Sequence, residues 1–330
     1  CRPLSTPPMR LPRPPASTRP VICSRVGASV MAGIVGHTAG VNASPPLPSK
    51  PPPLPLLSAA RVPLTRAVRI RDAAGERREI QIPVERALTL YVQSRELLTL
   101  MTLGQQPELL VLGYLLNQGL VGGVHEVASV QVDWEVAAAA VTLRDRDGPA
   151  DAAWRRRIAR RTVTTGCGQG TVFGDLVEDA AALPPAPAGA GVVDGDALAA
   201  MLETMRTRPC VYREAGSVHG TALWRGGELL VHVEDVGRHN AVDTVAGWAA
   251  MQGLDLRAVP DALLYTTGRL TSEMVLKAAR LGVAVVVSRN GVTAMGFELA
   301  ERLGITLVGR ASGRRWLVYT APQRIGPARA

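Results

Sequence analysis

Cysteine is nearly absent from this chain of 330 residues: Cys1, Cys23, Cys167 and Cys210 are the full set. Thiols so few and so scattered exclude a disulfide framework and point to a reducing, cytoplasmic setting. Long apolar runs are missing too. None approaches the roughly 18 residues that a membrane-spanning helix needs, so no membrane partner is expected. Acidic side chains are missing from one stretch, residues 1–63, which carries Arg2, Arg10, Arg13, Arg19, Arg25, Lys50 and Arg61 without an Asp or Glu. Setting those seven aside leaves 30 of the 37 basic residues against 28 acidic ones, so +2 of the formal +9 belongs to the body. A nearly neutral body is no general polyanion binder, and nucleic acid is not expected as a partner. The Gly-x-Ser-x-Gly elbow is absent, which leaves a Ser-His-Asp hydrolase unsupported. The zinc deaminase signature also fails, because Pro209-Cys210 runs into Val211-Tyr212-Arg213 and His219 is followed by Gly220-Thr221. His125, His219, His232 and His239 have no metal-ligand spacing, so no protein-bound zinc is expected.

What is present divides the chain. Residues 1–63 hold 15 of the 25 prolines, including SPPLPSKPPPLPLL, a composition that cannot bury a core and reads as disordered or extended. With Met9 and Met31 as internal starts, this tail reads as translated upstream sequence, with a basic targeting segment and a secretory signal around VGASVMAGIVG as the less favoured readings. Residues 64–182 read as an α+β domain. ALTLYVQ and ELLTLMTL alternate as strands, QPELLVLGYLLNQG has helical spacing with Leu109, Leu112, Gly113 and Leu116 on one face, and VASVQVDWEV and AAAAVTL give two more strands. LPPAPAGAG marks a linker over 183–194. Cys210 follows a proline ahead of an expected strand. Residues 195–326 then alternate helix and strand: DALAAMLETMRT, a hairpin turning at Gly226-Gly227, AVDTVAGWAAMQG, ALLYTTG, TSEMVLKAARLG capped at Thr271 and Gly282, VAVVVS, VTAMGFELAERLG, ITLVG and RWLVYT. Such alternation predicts a mixed sheet with helices on its faces and ligands where loops leave the strand ends.

Four corners and one loop concentrate the chemistry. VEDVGRHNAVD, residues 233–243, packs six polar side chains between a strand and a helix that Asn240 or His239 is expected to cap. TTGRLTSE leads into a helix start suited to an anion, and SRNGVT is a third strand-to-helix corner. GRASGRR, residues 309–315, sets three arginines among glycines, a pattern that suits phosphate or pyrophosphate. The loop is TTGCGQG, residues 164–170, where glycines flank Cys167 and leave its sulfur accessible.

AGSVHGTALW, VEDVGRHNAVD, TTGRLTSEMVLKAARLGV and ITLVGRASGRRWLVYT, in this order and spacing, resemble the formate dehydrogenase accessory sulfurtransferase family, FdhD. LMTLGQQPELLVLGYLLNQGLV resembles the family's first-domain helix, so the likeness spans about residues 67–325. It implies an α+β first domain, then an α/β/α domain of cytidine deaminase-like fold with a mixed sheet, and a homodimer. It implies that Cys167 accepts sulfur from a cysteine desulfurase as a persulfide and passes it to the molybdenum cofactor, bis-molybdopterin guanine dinucleotide (bis-MGD), of formate dehydrogenase. Arg310, Ala311, Ser312, Gly313, Arg314 and Arg315 match the family's guanine-dinucleotide segment. Gly170 stands where many members have the second cysteine of a Cys-x-x-Cys, and Arg289 falls where many read closer to Ser-Ala-Pro-Thr. Carriage by one thiol is therefore the expected mode, and delivery of the cofactor without sulfur transfer is the rival reading.

Overall fold

Two sheets and a separate hairpin carry the strands of the computed structural model, which describes residues 53–145, 182–186, 191–259 and 261–328. In the first half the strands are β1 (Leu56–Leu57), β2 (Thr65–Arg71), β3 (Arg77–Pro83), β4 (Arg86–Val92), β5 (Arg95–Thr102), β6 (Val127–Asp133) and β7 (Ala138–Leu143). Helix α1 (Pro107–Asn117) follows β5, with Pro107 in the first turn where its missing N–H costs nothing. The first sheet has the order β1-β6-β7-β4-β5, while β2 and β3 pair only with each other.

In the second half come α2 (Gly195–Thr207), α3 (Val211–Ala215), β8 (His219–Arg225), β9 (Glu228–Asp235), α4 (Arg238–Met251), β10 (Ala262–Thr266), α5 (Ser272–Leu281), β11 (Val285–Ser288), α6 (Ala294–Leu303), β12 (Thr306–Ser312) and β13 (Arg315–Val318). The sheet order is β13-β12-β11-β10-β8-β9, with β10, β11 and β12 parallel and the remaining neighbours antiparallel. Both halves are thus mixed α/β with mixed sheets. The second sheet is buried on both faces, as strict alternation along β10 and β11 requires. Leu264 and Val286 pack with α4, α5 and α6. Leu263, Tyr265, Val285 and Val287 pack on the other face against Leu198, Met201 and Leu202 of α2. No helix among the described residues is long and apolar enough to cross a membrane.

Helix α1 is buried nearly all round rather than along one face, because the first sheet covers one side and α4 the other. The close approach is made by glycines: a Cβ on Gly113 would fall on the Asp243 carbonyl, and one on Gly247 on the Leu109 carbonyl.

Three expectations need correction. The boundary at residue 63 lies too late, since β1 pairs in parallel with β6 and Leu57 packs on the first core. Ser58 Oγ donates to Glu108 at 2.6 Å and accepts from Val132 N at 2.9 Å, and Ala60 N also donates to Glu108. Glu108 is 3% exposed, so these donors offset the cost of burying its carboxylate. Removing residues through 60 is expected to cost about 2 kcal/mol from Leu57 packing and the lost Glu108 hydrogen bonds. An unchanged urea midpoint in that truncation would contradict this. Second, Val211–Ala215 after Cys210 is a short helix, not a strand. Third, α4 begins at Arg238 with Gly237 as N-cap, so His239 and Asn240 lie inside its first turn and neither caps it. The described residues of the expected linker are docked: Ala186 N donates to Leu303 O at 2.7 Å, and Val193 bridges Ile325.

Candidate functional site

The four polar corners meet at one edge of the second sheet. His219 opposes Asp235, Thr221 opposes Thr266, and Thr266 opposes Ser288, so the ends of β9, β10 and β11 emerge side by side. Hydrogen bonds join corner to corner. Gly220 N donates to Thr267 Oγ1 at 3.0 Å, Asn290 Nδ2 to the Thr267 carbonyl at 2.6 Å, and Arg310 N to the Asn290 carbonyl at 2.9 Å. This is the edge where loops leave the carboxyl ends of parallel strands, the usual ligand position in open α/β sheets.

Asp235 organises the first corner. Its Oδ1 accepts from Gly237 N at 2.9 Å and Asn240 Nδ2 at 2.8 Å, and its Oδ2 accepts from Thr102 Oγ1 and Leu103 N. It therefore ties the end of β5 to the turn that leads into α4 and holds the Asn240 side chain. Burial pushes its carboxyl up, and those donors hold it back. Deeper in α4, Asp243 is fully buried and takes Lys277 Nζ at 2.8 and 2.7 Å and Asn117 Nδ2 at 2.7 Å, which links α1, α4 and α5. These are side chains that hold the corner, not ones that face a ligand.

His239 Nε2 lies 2.8 Å from Glu273. Burial pushes His239 down despite that carboxylate, pushes His219 down with help from Arg238, His239 and Arg269, and pushes His232 down. All three are thus lowered from 6.5, so the unfolded chain binds the extra protons on acidification. Their contribution to stability is complete above about pH 6.5 and is lost as pH falls below it, at up to about 1.4 kcal/mol per pH unit for each histidine. Urea midpoints should therefore hold from pH 7.5 to about pH 6.5 and fall below it towards pH 5.5, and a profile flat down to pH 5.5 would contradict the burial of neutral imidazoles.

The GRASGRR corner is shaped by a bulge. The register shifts between Gly309 and Ser312, Arg310 adopts φ 51°, and Ala311 turns inward to 1% exposure. Arg310, Arg314 and Arg315 are exposed, and Arg314 forms an ion pair with Asp196 at the start of α2. Ala311, Ser312 and Gly313 line a cavity of about 70 Å³ with Leu202, Arg206, Tyr265 and Arg289. Arg206, Tyr265 and Tyr212 carried no signal that singled them out in the sequence, and Arg289 stood out only as an added charge. Tyr212 lies under Arg289, whose Cζ is 5.8 Å from the ring centroid.

Cys210 sits beside this edge. Glu234, itself buried, accepts from Val211 N at 2.6 Å and Tyr212 N at 3.0 Å, which fixes the turn after the cysteine. Burial, and then the Glu234 carboxylate, push the Cys210 thiol up, the opposite of what a sulfur acceptor needs. Cys167 lies outside the described residues.

Comparison with known proteins bears on the same residues. The model of the FdhD/NarQ family matches residues 83–326. The chain is 30% identical over 261 residues to the sulfur carrier protein FdhD of Halalkalibacterium halodurans, covering 79% of this chain and 94% of that one. It is 30% identical over 257 residues to the sulfur carrier protein FdhD of Listeria monocytogenes, covering 77% and 96%. Among solved structures, a protein from Desulfotalea psychrophila assigned as a formate dehydrogenase accessory protein is 26% identical with a TM-score of 0.62, covering 80% of this chain and 100% of that one.

Proposed function

The chain belongs to the FdhD/NarQ family, and from that membership we propose that it is a sulfur carrier serving formate dehydrogenase. In the proposed reaction the Cys167 thiolate attacks the outer sulfur of a cysteine desulfurase persulfide. The donor S–S bond breaks, the desulfurase cysteine leaves as a thiolate, and Cys167 holds the new persulfide. The Cys167 S–S bond then breaks, Cys167 leaves as a thiolate, and the sulfane sulfur passes to bis-MGD, the substrate, whose metal supplies the two electrons that convert it to sulfide. Arg310 to Arg315 hold the substrate's guanine-dinucleotide end. The proposal includes a cytidine deaminase-like arrangement for the second half and a homodimer as the working unit.

The observation that supports this reading is the cavity where the GRASGRR segment meets Arg289 of the SRNGVT corner, lined by no acidic side chain. Because Arg314 is engaged by Asp196, Arg310 and Arg315 are the cations left to reach phosphate oxygens. Replacing both with Ala should weaken GDP binding by roughly 1.5–3 kcal/mol for each charged hydrogen bond lost, and should flatten its salt dependence. Calorimetry that finds unchanged GDP affinity in the double variant would move the dinucleotide elsewhere.

A further inference from the structure

We infer that the cavity beneath Ala311, Ser312 and Gly313 is a phosphoryl pocket, in which the Tyr265 hydroxyl and the Arg289 guanidinium are binding groups. This rests on the reading of residues 310–315 as a nucleotide segment and deepens it, since neither residue belongs to that segment.

Tyr265 is 3% exposed, in a strand buried on both faces, yet its side chain lines the cavity. Its ring packs in the core between the sheet and α2, and its hydroxyl is the polar atom it brings to the cavity. Burial, its largest influence, pushes the hydroxyl up to about 12, so it stays protonated and offers a donor rather than a charge. Arg289, one residue past β11, supplies the cation. Its Cζ lies over the Tyr212 ring at 5.8 Å from the centroid, a cation–π contact that does not use the N–H fork. The neighbouring Arg206 is committed to Glu203, with its Nε 2.7 Å from a carboxylate oxygen, so Arg289 is the cation free to turn to a ligand. A donor and a cation facing each other across a space without carboxylates select an oxyanion. Size sets which part of the ligand enters. A pocket of about 70 Å³ is far below the roughly 300–1,000 Å³ of whole-ligand clefts, so it takes one phosphoryl group and leaves the base outside.

The test is calorimetry on the full chain with inorganic pyrophosphate, GDP and guanosine. Arg289→Ala and Tyr265→Phe should each weaken pyrophosphate and GDP at least tenfold and leave guanosine unchanged, and Arg289→Lys should recover part of the loss. Folded variants that bind pyrophosphate as the wild type does, or a wild type that binds no pyrophosphate, would overturn the pocket. If pyrophosphate binds in an Arg289-dependent way while GDP binds no better than pyrophosphate, the pocket stands and the guanine dinucleotide reading falls.

Discussion

Cys167→Ala should abolish activation of formate dehydrogenase while leaving GDP binding intact. The chemistry needs a thiolate, and an ordinary cysteine near pKa 8.5 supplies only a few per cent of it at neutral pH. Cys210 loses a further fraction to its own desolvation and to the Glu234 carboxylate. Cys210→Ala should accordingly leave activation within about twofold of wild type, a change worth roughly 0.4 kcal/mol. The groups proposed to bind nucleotide, Arg310 to Arg315, belong to β12, β13 and the turn between them, and Cys167 is not one of them, so GDP binding should not register its loss. Dehydrogenase activity after coexpression with each variant, alongside calorimetry, separates these outcomes. An active dehydrogenase matured by Cys167→Ala would favour delivery of the cofactor without sulfur transfer.

Gly113→Ala or Gly247→Ala should destabilise the protein by about 3 kcal/mol or more. In an isolated helix the same change would stabilise by about 1 kcal/mol, because alanine is the better helix former. The sign reverses here because each new methyl would meet a backbone carbonyl of the facing helix, and backbone yields less readily than a side chain. Separating α1 from α4 would also pull Asn117 away from Asp243 and leave the Lys277 ion pair less well satisfied. A urea midpoint at or above wild type in either variant would contradict this account of the crossing.

What could be read from the sequence is what local patterning controls. Alternation in ALTLYVQ placed β4, the Gly226-Gly227 pair placed the β8–β9 turn with both glycines at positive φ, and Thr271 and Gly282 bounded α5. The VAVVVS run, read as a fully buried strand, matched β11, buried at every position. Where the reading fell short, a distant residue decided. Glu234 captures the N–H groups of Val211 and Tyr212 from more than twenty positions away and turns the expected strand into a helical turn. Asp235 gathers Gly237 and Asn240, so α4 starts earlier than its apolar spacing indicates. The β2–β3 hairpin passed unnoticed because arginines interrupt its alternation, although Asp72, whose Oδ1 accepts from Ala74 N and Glu76 N, marks the turn. At the candidate site, GRASGRR was legible as three arginines set at the turn into the last strand. Its companions Tyr265 and Arg206 reach it only through folding, one from a buried strand and the other from the helix on the opposite face.

The central claim is that this chain carries sulfur on Cys167, and intact mass spectrometry tests it most directly. After incubation of the full chain with a cysteine desulfurase and cysteine, the account predicts a gain of one sulfur atom that a reductant removes, located at Cys167 by peptide mapping. Cys167→Ala should show no gain. A wild-type chain whose mass is unchanged, or a Cys167→Ala chain that still takes up the sulfur, would contradict it.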